Sequence, residues 1–343
     1  MRAGVIKGRG QFELADMAEP EVGEGQAVVD ISRCGICGSD VHAYVEGWPY
    51  APGICGHEWV GTVRAVAPGV RSVSEGDRVT GGVAPGCGAC DECRAGLPEY
   101  CHIAHSAYSG SRAPANGGFA RSMALDANRL CRLPDGVSDD AGAVVEPASV
   151  ALHGVRRSRM RVGDVACVVG CGPIGLLTVQ CARIAGAGHV IAVEPDPARQ
   201  QRALAVGADK AVAPGAELRE YINELTGGLR ADIAFDCAGV PQTLQQSVDM
   251  VRRGGSVCMI GVAGGEATVV PMRWLSKEVS VDTSIVFSLD EMAIVGGLIA
   301  DGRLKVAELV DATITLDQLG QTIDDLANRR LQAVKVLVDP TAG

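Results

Sequence analysis

The stretch DVACVVGCGPIGLLTVQCARIAGAGHVIAVEPD, Asp164 to Asp196, constrains the fold more than any other. Asp164 to Gly170 is a short Val-rich run that reads as a buried strand. Gly170, Gly172 and Gly175 follow in G-x-G-x-x-G order. Apolar residues at helical spacing then run from Ile174 to Ile184, and a second apolar run, His189 to Val193, ends in Glu194. Strand, glycine turn, helix and strand in this order predict a βαβ unit that grips a dinucleotide. Gly170 permits the tight turn, Gly172 lets backbone approach a pyrophosphate, and Gly175 lets helix and strand pack closely. The unpaired N–H groups of the helix start, where Pro173 and Ile174 stand, face the phosphates. Glu194 is placed to accept both ribose hydroxyls and to repel a 2′-phosphate, which favours NAD over NADP. Arg199 is the counter-indication, since a nearby arginine accommodates that phosphate in some proteins. Val262 and Ile285, after later strands, complete the residues expected to meet the cofactor. The competing reading is a glycine turn with no ligand.

The alternation continues. GADKAVA reads as a short strand, ELREYINELTGG as a helix ended by Gly227, and ADIAFDCAG as a strand. PQTLQQSVDMVRRGG reads as a helix from Pro241 to Gly254, and SVCMIGV as a strand. This is an α/β pattern and predicts a doubly wound parallel sheet. The first 150 residues differ: QAVVDISRCG, WVGTVRAVAPGV, GDRVTGG and FARSMAL are short Val-rich runs broken by Gly and Pro, as in an all-β lobe of barrel type. From Leu289 the pattern turns helical, then closes with AVKVLVD, a strand able to rejoin the first lobe. Two domains follow: residues 1–150 with 288–343, and residues 151–287. A chain of 343 residues is long enough for both.

Charge and cysteine content narrow the function. A net charge of −10 argues against a nucleic-acid partner. No apolar run reaches the length of a membrane span, and the N-terminus carries no signal-peptide pattern, so a soluble cytoplasmic protein is expected. Thirteen cysteines cannot all pair within one chain. Cys167, Cys181, Cys237 and Cys258 sit in apolar runs and read as core residues. CGACDECRAGLPEYC is different. Cys87, Cys90, Cys93 and Cys101 form C-x2-C-x2-C-x7-C, which suits one structural zinc wrapped by a single loop. A redox loop or two disulfides are the alternatives, which a reducing compartment disfavours. Four thiolates leave no open coordination position, so this cluster staples a lobe and the chemistry must lie elsewhere.

Catalytic zinc takes three protein ligands and keeps one position open. Cys37 in CGICGSDVH, His57 in GHEWVG and Glu146 in VVEPASVALHG could meet that need. Singly, His57 reads more readily as an ordinary hydrogen-bonded histidine and Cys37 as a core residue, and it is the joint pattern that points to a metal; Glu146, flanked by apolar residues, needs a partner.

These segments together resemble the zinc-dependent medium-chain alcohol dehydrogenases. GHEWVGTVRAVAPGV fits the family's G-H-E-x2-G-x5-[GA]-x2-[IVSAC] pattern, and CGICGSDVH, the four-cysteine lobe, GCGPIG and KVLV fall in the family's order. VVEPASVALH is most similar to the polyol, threonine and butanediol dehydrogenase branch. The resemblance implies a GroES-like catalytic domain interrupted by a Rossmann domain, NAD and two zinc ions per chain. It further implies Cys37 and His57 as zinc ligands, Glu58 as ligand or close neighbour, and Glu146 as the acid on zinc or its water. Asp40 would orient the zinc-bound His57. Ser39 would take the alcohol proton and His42 pass it to solvent. The reaction implied is oxidation of a secondary alcohol or diol to the ketone by hydride transfer, or its reverse. Sorbitol-like polyol or L-threonine oxidation is the alternative; a zinc-independent enoyl or quinone reductase and a non-catalytic dinucleotide-binding protein are remoter. Ala43 and Val286–Phe287 stand where the polyol branch often carries Tyr and Arg-Tyr, which implies an apolar pocket. Tyr44, Trp48 and Tyr50 are candidates for its entrance. Pairing of Rossmann sheets through KEVSVDTSIV would give a homodimer or homotetramer.

Overall fold

The computed structural model describes residues 1–47, 55–83, 86–103 and 117–342. Trp48 and Tyr50 lie outside the described residues. The chain divides into two units. The first comprises residues 1–146, 286–301 and 309–343, and the second 147–285 and 302–308. The boundaries expected at 150 and 288 therefore fall at Glu146 and Val286. The segment 302–308 belongs with the second unit, where the Gln180 side chain bonds both the N–H and the carbonyl of Lys305.

The first unit is built on β-structure. Strands β1 (Arg2–Gly8) and β2 (Gln11–Asp16) form an antiparallel ribbon. A seven-stranded sheet gathers β3 (Gln26–Gly35), β4 (Glu58–Val66), β5 (Arg78–Gly81), β6 (Ser122–Asp126), β7 (Leu130–Arg132), β14 (Val310–Thr315) and β15 (Lys335–Asp339). Strand β3 is its centre, pairing antiparallel with β4, β6 and β15. AVKVLVD thus supplies β15, which lies beside β3. Trp59, Phe119, Ile31 and Ile6 are fully buried and centre the core. Helix Gly38–Glu46 starts directly after β3. Its N-cap is Cys37, whose sulfur accepts from Ser39 N–H while the Asp40 carboxylate accepts from Cys37 N–H, a reciprocal cap.

The second unit is a parallel six-stranded sheet in the order β10-β9-β8-β11-β12-β13. The strands are β8 (Val165–Val169), β9 (His189–Val193), β10 (Lys210–Val212), β11 (Ala231–Asp236), β12 (Val251–Met259) and β13 (Ser280–Thr283). The strand order reverses between β8 and β11, where open α/β sheets bind ligands at the strands' carboxyl ends. Helix Ala216–Thr226 ends on Gly227 in the left-handed conformation, as its sequence predicts.

One expected element is shorter. The helix from Pro241 ends at Met250, not Gly254, and Val251-Arg252-Arg253-Gly254-Gly255 opens β12. The ammonium of Lys277 donates to the carbonyls of Val248, Asp249 and Val251 and so closes the helix. Arg252 is then extended and reaches Asp232 across β11. Gly254, at φ 67°, falls where the β11–β12 register shifts.

Candidate metal and cofactor sites

In the first unit, Cys37, His57 and Glu58 bring a sulfur, an imidazole nitrogen and a carboxylate oxygen within 4.8 Å of one another. Cys37 comes from the helix cap after β3. Glu58 opens β4, directly opposite Gly35 at the end of β3. A Cβ at Gly35 would lie 2.1 Å from Glu58 Oε2, so glycine there is what lets the carboxylate occupy its place. Glu146 is buried on helix Val145–Arg157 and stands outside that 4.8 Å set.

Among the described residues the acidic groups here are the half-buried Cys37 thiol and the buried carboxyls of Asp40, Glu58 and Glu146; the basic ones are His57 and Lys335, both buried. Burial first, then the Glu58 carboxylate, pushes the Cys37 thiol up to about 12. Burial pushes Glu146 up to about 8, with Glu58 and Cys37 adding to it. Burial opposes charge on His57, but Asp40, Glu146 and Glu58 outweigh it and raise its pKa. Asp40 Oδ1 is buried without a hydrogen-bond partner, 4.0 Å from His57 Nδ1. A divalent cation answers each of these features. It would ionise the thiol and Glu146, and fix His57 with Nδ1–H toward Asp40 and Nε2 toward the metal. A thiolate, imidazole and carboxylate set with an open side suits zinc.

Sequence reasoning missed Lys335 as a member of this site. Its ammonium, 2 % exposed, bonds Glu58 Oε2 at 2.5 Å and the Ile36 carbonyl at 2.9 Å. The available signal was a lone lysine opening an otherwise apolar strand. Ser39 Oγ lies 3.5 Å from His57 Nε2. His42 lies on the same helix, with Nδ1 3.6 Å from Glu46 Oε1. Tyr44, a candidate for the pocket entrance, packs against the core and donates to Asp324 at 3.1 Å. Ala43 is fully buried, and so is most of Phe287.

The four-cysteine lobe brings the sulfurs of Cys87, Cys90, Cys93 and Cys101 within 4.8 Å of one another. None of the four is in a disulfide. The Cys90–Cys101 sulfur separation is 3.7 Å. A tetrahedron with Zn–S bonds of about 2.3 Å has edges of about 3.8 Å. Backbone N–H groups of Ala89 and Cys90 point at Cys87 Sγ, and that of Cys87 at Cys101 Sγ, which suits thiolates. The donors fit a closed zinc site.

In the second unit the three glycines have distinct environments. Gly170, at φ 86°, would place a Cβ 2.7 Å from Ala238 Cα. A Cβ at Gly175 would strike Gly170 O at 1.8 Å. At Gly172 it would meet nothing within 4 Å, so this glycine keeps an approach open. Gly172 is also the N-cap of helix Pro173–Ile184 and offers no side chain to its N–H groups. An open glycine over an uncapped helix start fits a pyrophosphate. Glu194 is buried, and its carboxylate accepts from Cys171 N–H at 2.8 Å and Asp196 N–H at 3.0 Å. It therefore ties the glycine turn to the end of β9. Asp196 caps the next helix by accepting from Arg199 N–H. Val262 and Ile285 are exposed beyond the ends of β12 and β13.

Known proteins bear on these sites. A model of the alcohol dehydrogenase GroES-like domain matches residues 23–135, and one of the zinc-binding dehydrogenases matches residues 173–301. The (R,R)-butanediol dehydrogenase of Bacillus subtilis strain 168 is 33 % identical over 99 % of this chain and 100 % of its own. A sorbitol dehydrogenase of Halalkalibacterium halodurans is 30 % identical over 97 % of each chain. A zinc-binding dehydrogenase of Sinorhizobium meliloti 1021, solved with NADP bound, superposes with a TM-score of 0.88 at 30 % identity over 99 % of each chain. The chain belongs to the zinc-dependent medium-chain alcohol dehydrogenase family. It is an oxidoreductase acting on CH–OH groups, with a GroES-like domain and a Rossmann domain. Among the described residues no helix is long and apolar enough to cross a membrane.

Proposed function

We propose that this chain is an NAD(H)-dependent dehydrogenase that interconverts a small secondary alcohol or vicinal diol with its ketone, using two zinc ions per chain. The observation that carries the reading is the convergence of a Cys37 sulfur, a His57 nitrogen and a Glu58 oxygen within 4.8 Å of one another, in a family whose members act on such alcohols. The first zinc would be held by Cys37, His57 and one carboxylate. Glu146 is the better third ligand, because Lys335 already claims an oxygen of Glu58, while burial raises the pKa of Glu146 beyond what His57 and Lys335 offset. A zinc ion there would supply Lewis-acid chemistry that eases loss of the alcohol's proton, and a bound nicotinamide would supply the hydride acceptor. Ser39, beside His57 Nε2, takes the hydroxyl proton, and His42, one turn along the same exposed-edged helix, passes it toward water. Asp40 holds His57 in one tautomer. Cys87, Cys90, Cys93 and Cys101 hold the second zinc and brace the lobe.

Glu194 supports NAD. Both its carboxylate oxygens accept backbone N–H groups, which fixes an acidic side chain beside the glycine turn, where it would repel a 2′-phosphate. Val286–Phe287, which offer no partners to extra hydroxyls, favour a diol over a sugar alcohol, whereas Ala43 is buried in the core and takes no part in that choice. Strand β13 is an edge of its sheet, with exposed Met272 and Leu275 on the preceding helix Pro271–Lys277, and supports pairing of two copies. Initial rates with NAD and NADP across primary alcohols, secondary alcohols, vicinal diols, L-threonine and sorbitol test the reading. Turnover of diols with NAD is expected; preference for sorbitol overturns the apolar pocket, and no turnover by zinc-replete protein overturns the assignment.

A further inference from the structure

Among the described residues a third group of metal-capable side chains lies beside the four-cysteine lobe. Cys90 Sγ, a carboxylate oxygen of Glu92 and a ring nitrogen of His102 are within 4.8 Å of one another. Cys90 is the N-cap of the short helix Asp91–Arg94, which carries Glu92, and His102 directly follows Cys101. His102 Nδ1 and Glu92 Oε2 are 3.0 Å apart. Two N or O ligands on one tetrahedral zinc are separated by about 3.3 Å, so this pair already stands near chelating distance.

We propose that Cys90, Glu92 and His102 form a peripheral zinc site that shares the Cys90 sulfur with the four-cysteine site. The inference rests on the reading that the four cysteines hold zinc, because that ion keeps Cys90 a thiolate. A thiolate has lone pairs enough to bridge two cations. The donor set is sulfur, nitrogen and one carboxylate oxygen, which selects zinc or a comparable borderline cation over magnesium or calcium. Both outer side chains face solvent, at 63 % exposed for His102 and 38 % for Glu92. Water therefore completes the coordination, and the site is weaker and faster to exchange than the closed one beside it. An ion pair this exposed contributes little to stability, so removing either partner leaves the fold intact.

The test is equilibrium dialysis of the full-length zinc-bound protein against rising free zinc, with zinc per chain counted by atomic emission. The wild type should plateau at two ions and then step to three. H102A and E92Q should hold two through the same range, with NADH binding unchanged. A wild type that stays at two, or an H102A variant that still takes the third ion, overturns the peripheral site and leaves an ordinary surface ion pair. A first plateau below two is a separate result and overturns the two-zinc reading on which the inference stands.

Discussion

Lys335→Met isolates the electrostatics of the catalytic pocket. The ammonium is buried and held by two acceptors, Glu58 Oε2 and the Ile36 carbonyl. Burial opposes its charge, but Glu58, Cys37 and Glu146 outweigh burial and keep it protonated. Methionine fills the same volume without the charge. The Glu58 carboxylate is then left buried against Gly35 with no cation, a loss of about 3–5 kcal/mol. The Ile36 carbonyl loses a donor, which adds about 1 kcal/mol. A total of about 4–6 kcal/mol moves a urea midpoint by about 1.3–2 M for an m-value near 3 kcal/mol/M. The penalty should be largest in chelator-treated protein, because zinc itself supplies positive charge beside Glu58. The control is Glu58→Gln/Lys335→Met, which removes both charges and should recover at least half of the loss. Because the pair lies in the first unit, binding of the nicotinamide cofactor reports separately on whether the second unit has folded. Equal midpoints for wild type and Lys335→Met, or no recovery in the double variant, would refute the argument.

Other outcomes follow from the same geometry. In metal-free protein at pH 7 the Cys37 thiol, at about 12, and Glu146, at about 8, both carry protons. Zinc must expel both, so its affinity at this site rises with pH, roughly 100-fold per unit below pH 8. Calorimetry in buffers of different ionisation enthalpy should count at least two protons released at pH 7, more if His57, whose pKa is raised, gives up its own, and a count of zero would sink the ligand set. Glu194→Gln turns an acceptor of two N–H groups into a group that points its own N–H at one of them. We expect kcat/KM for NAD to fall roughly 30-fold, about 2 kcal/mol, with NADP penalised less. An unchanged NAD to NADP ratio would remove Glu194 from cofactor choice. Lys277→Met strips a donor from the carbonyls of Val248, Asp249 and Val251 and should destabilise the second unit by about 2 kcal/mol, read as hydrogen-exchange protection along residues 241–250. Unaltered protection there would mean that water replaces the ammonium at no loss.

What was legible in the sequence divides along one physical line. The glycine turn and the four-cysteine loop are local, and local spacing fixes which atoms can converge. Gly170, Gly172 and Gly175 could each be given a role because each role is the absence of a Cβ within one turn of chain. Helix ends were legible where the signal was local, as at Gly227, and not where the cap came from afar. Lys277 closes the helix at Met250 from 26 to 29 residues downstream, and the Gly254 that looked like a stop serves a strand irregularity instead. Glu194 was placed correctly at the end of its strand, but its bond to Cys171 N–H depends on β8 and β9 lying side by side. The extreme case is Glu58 with Lys335, 277 positions apart. A buried charge is improbable alone and stable when paired, so one of them implies a partner without naming it. The GHE motif named Glu58 without its partner, and only the pairing of β15 with β3 and of β3 with β4 brings Lys335 to it. The last strand thus belongs to the candidate metal pocket as well as closing the lobe, since its first residue, Lys335, pairs with Glu58 beside Cys37 and His57.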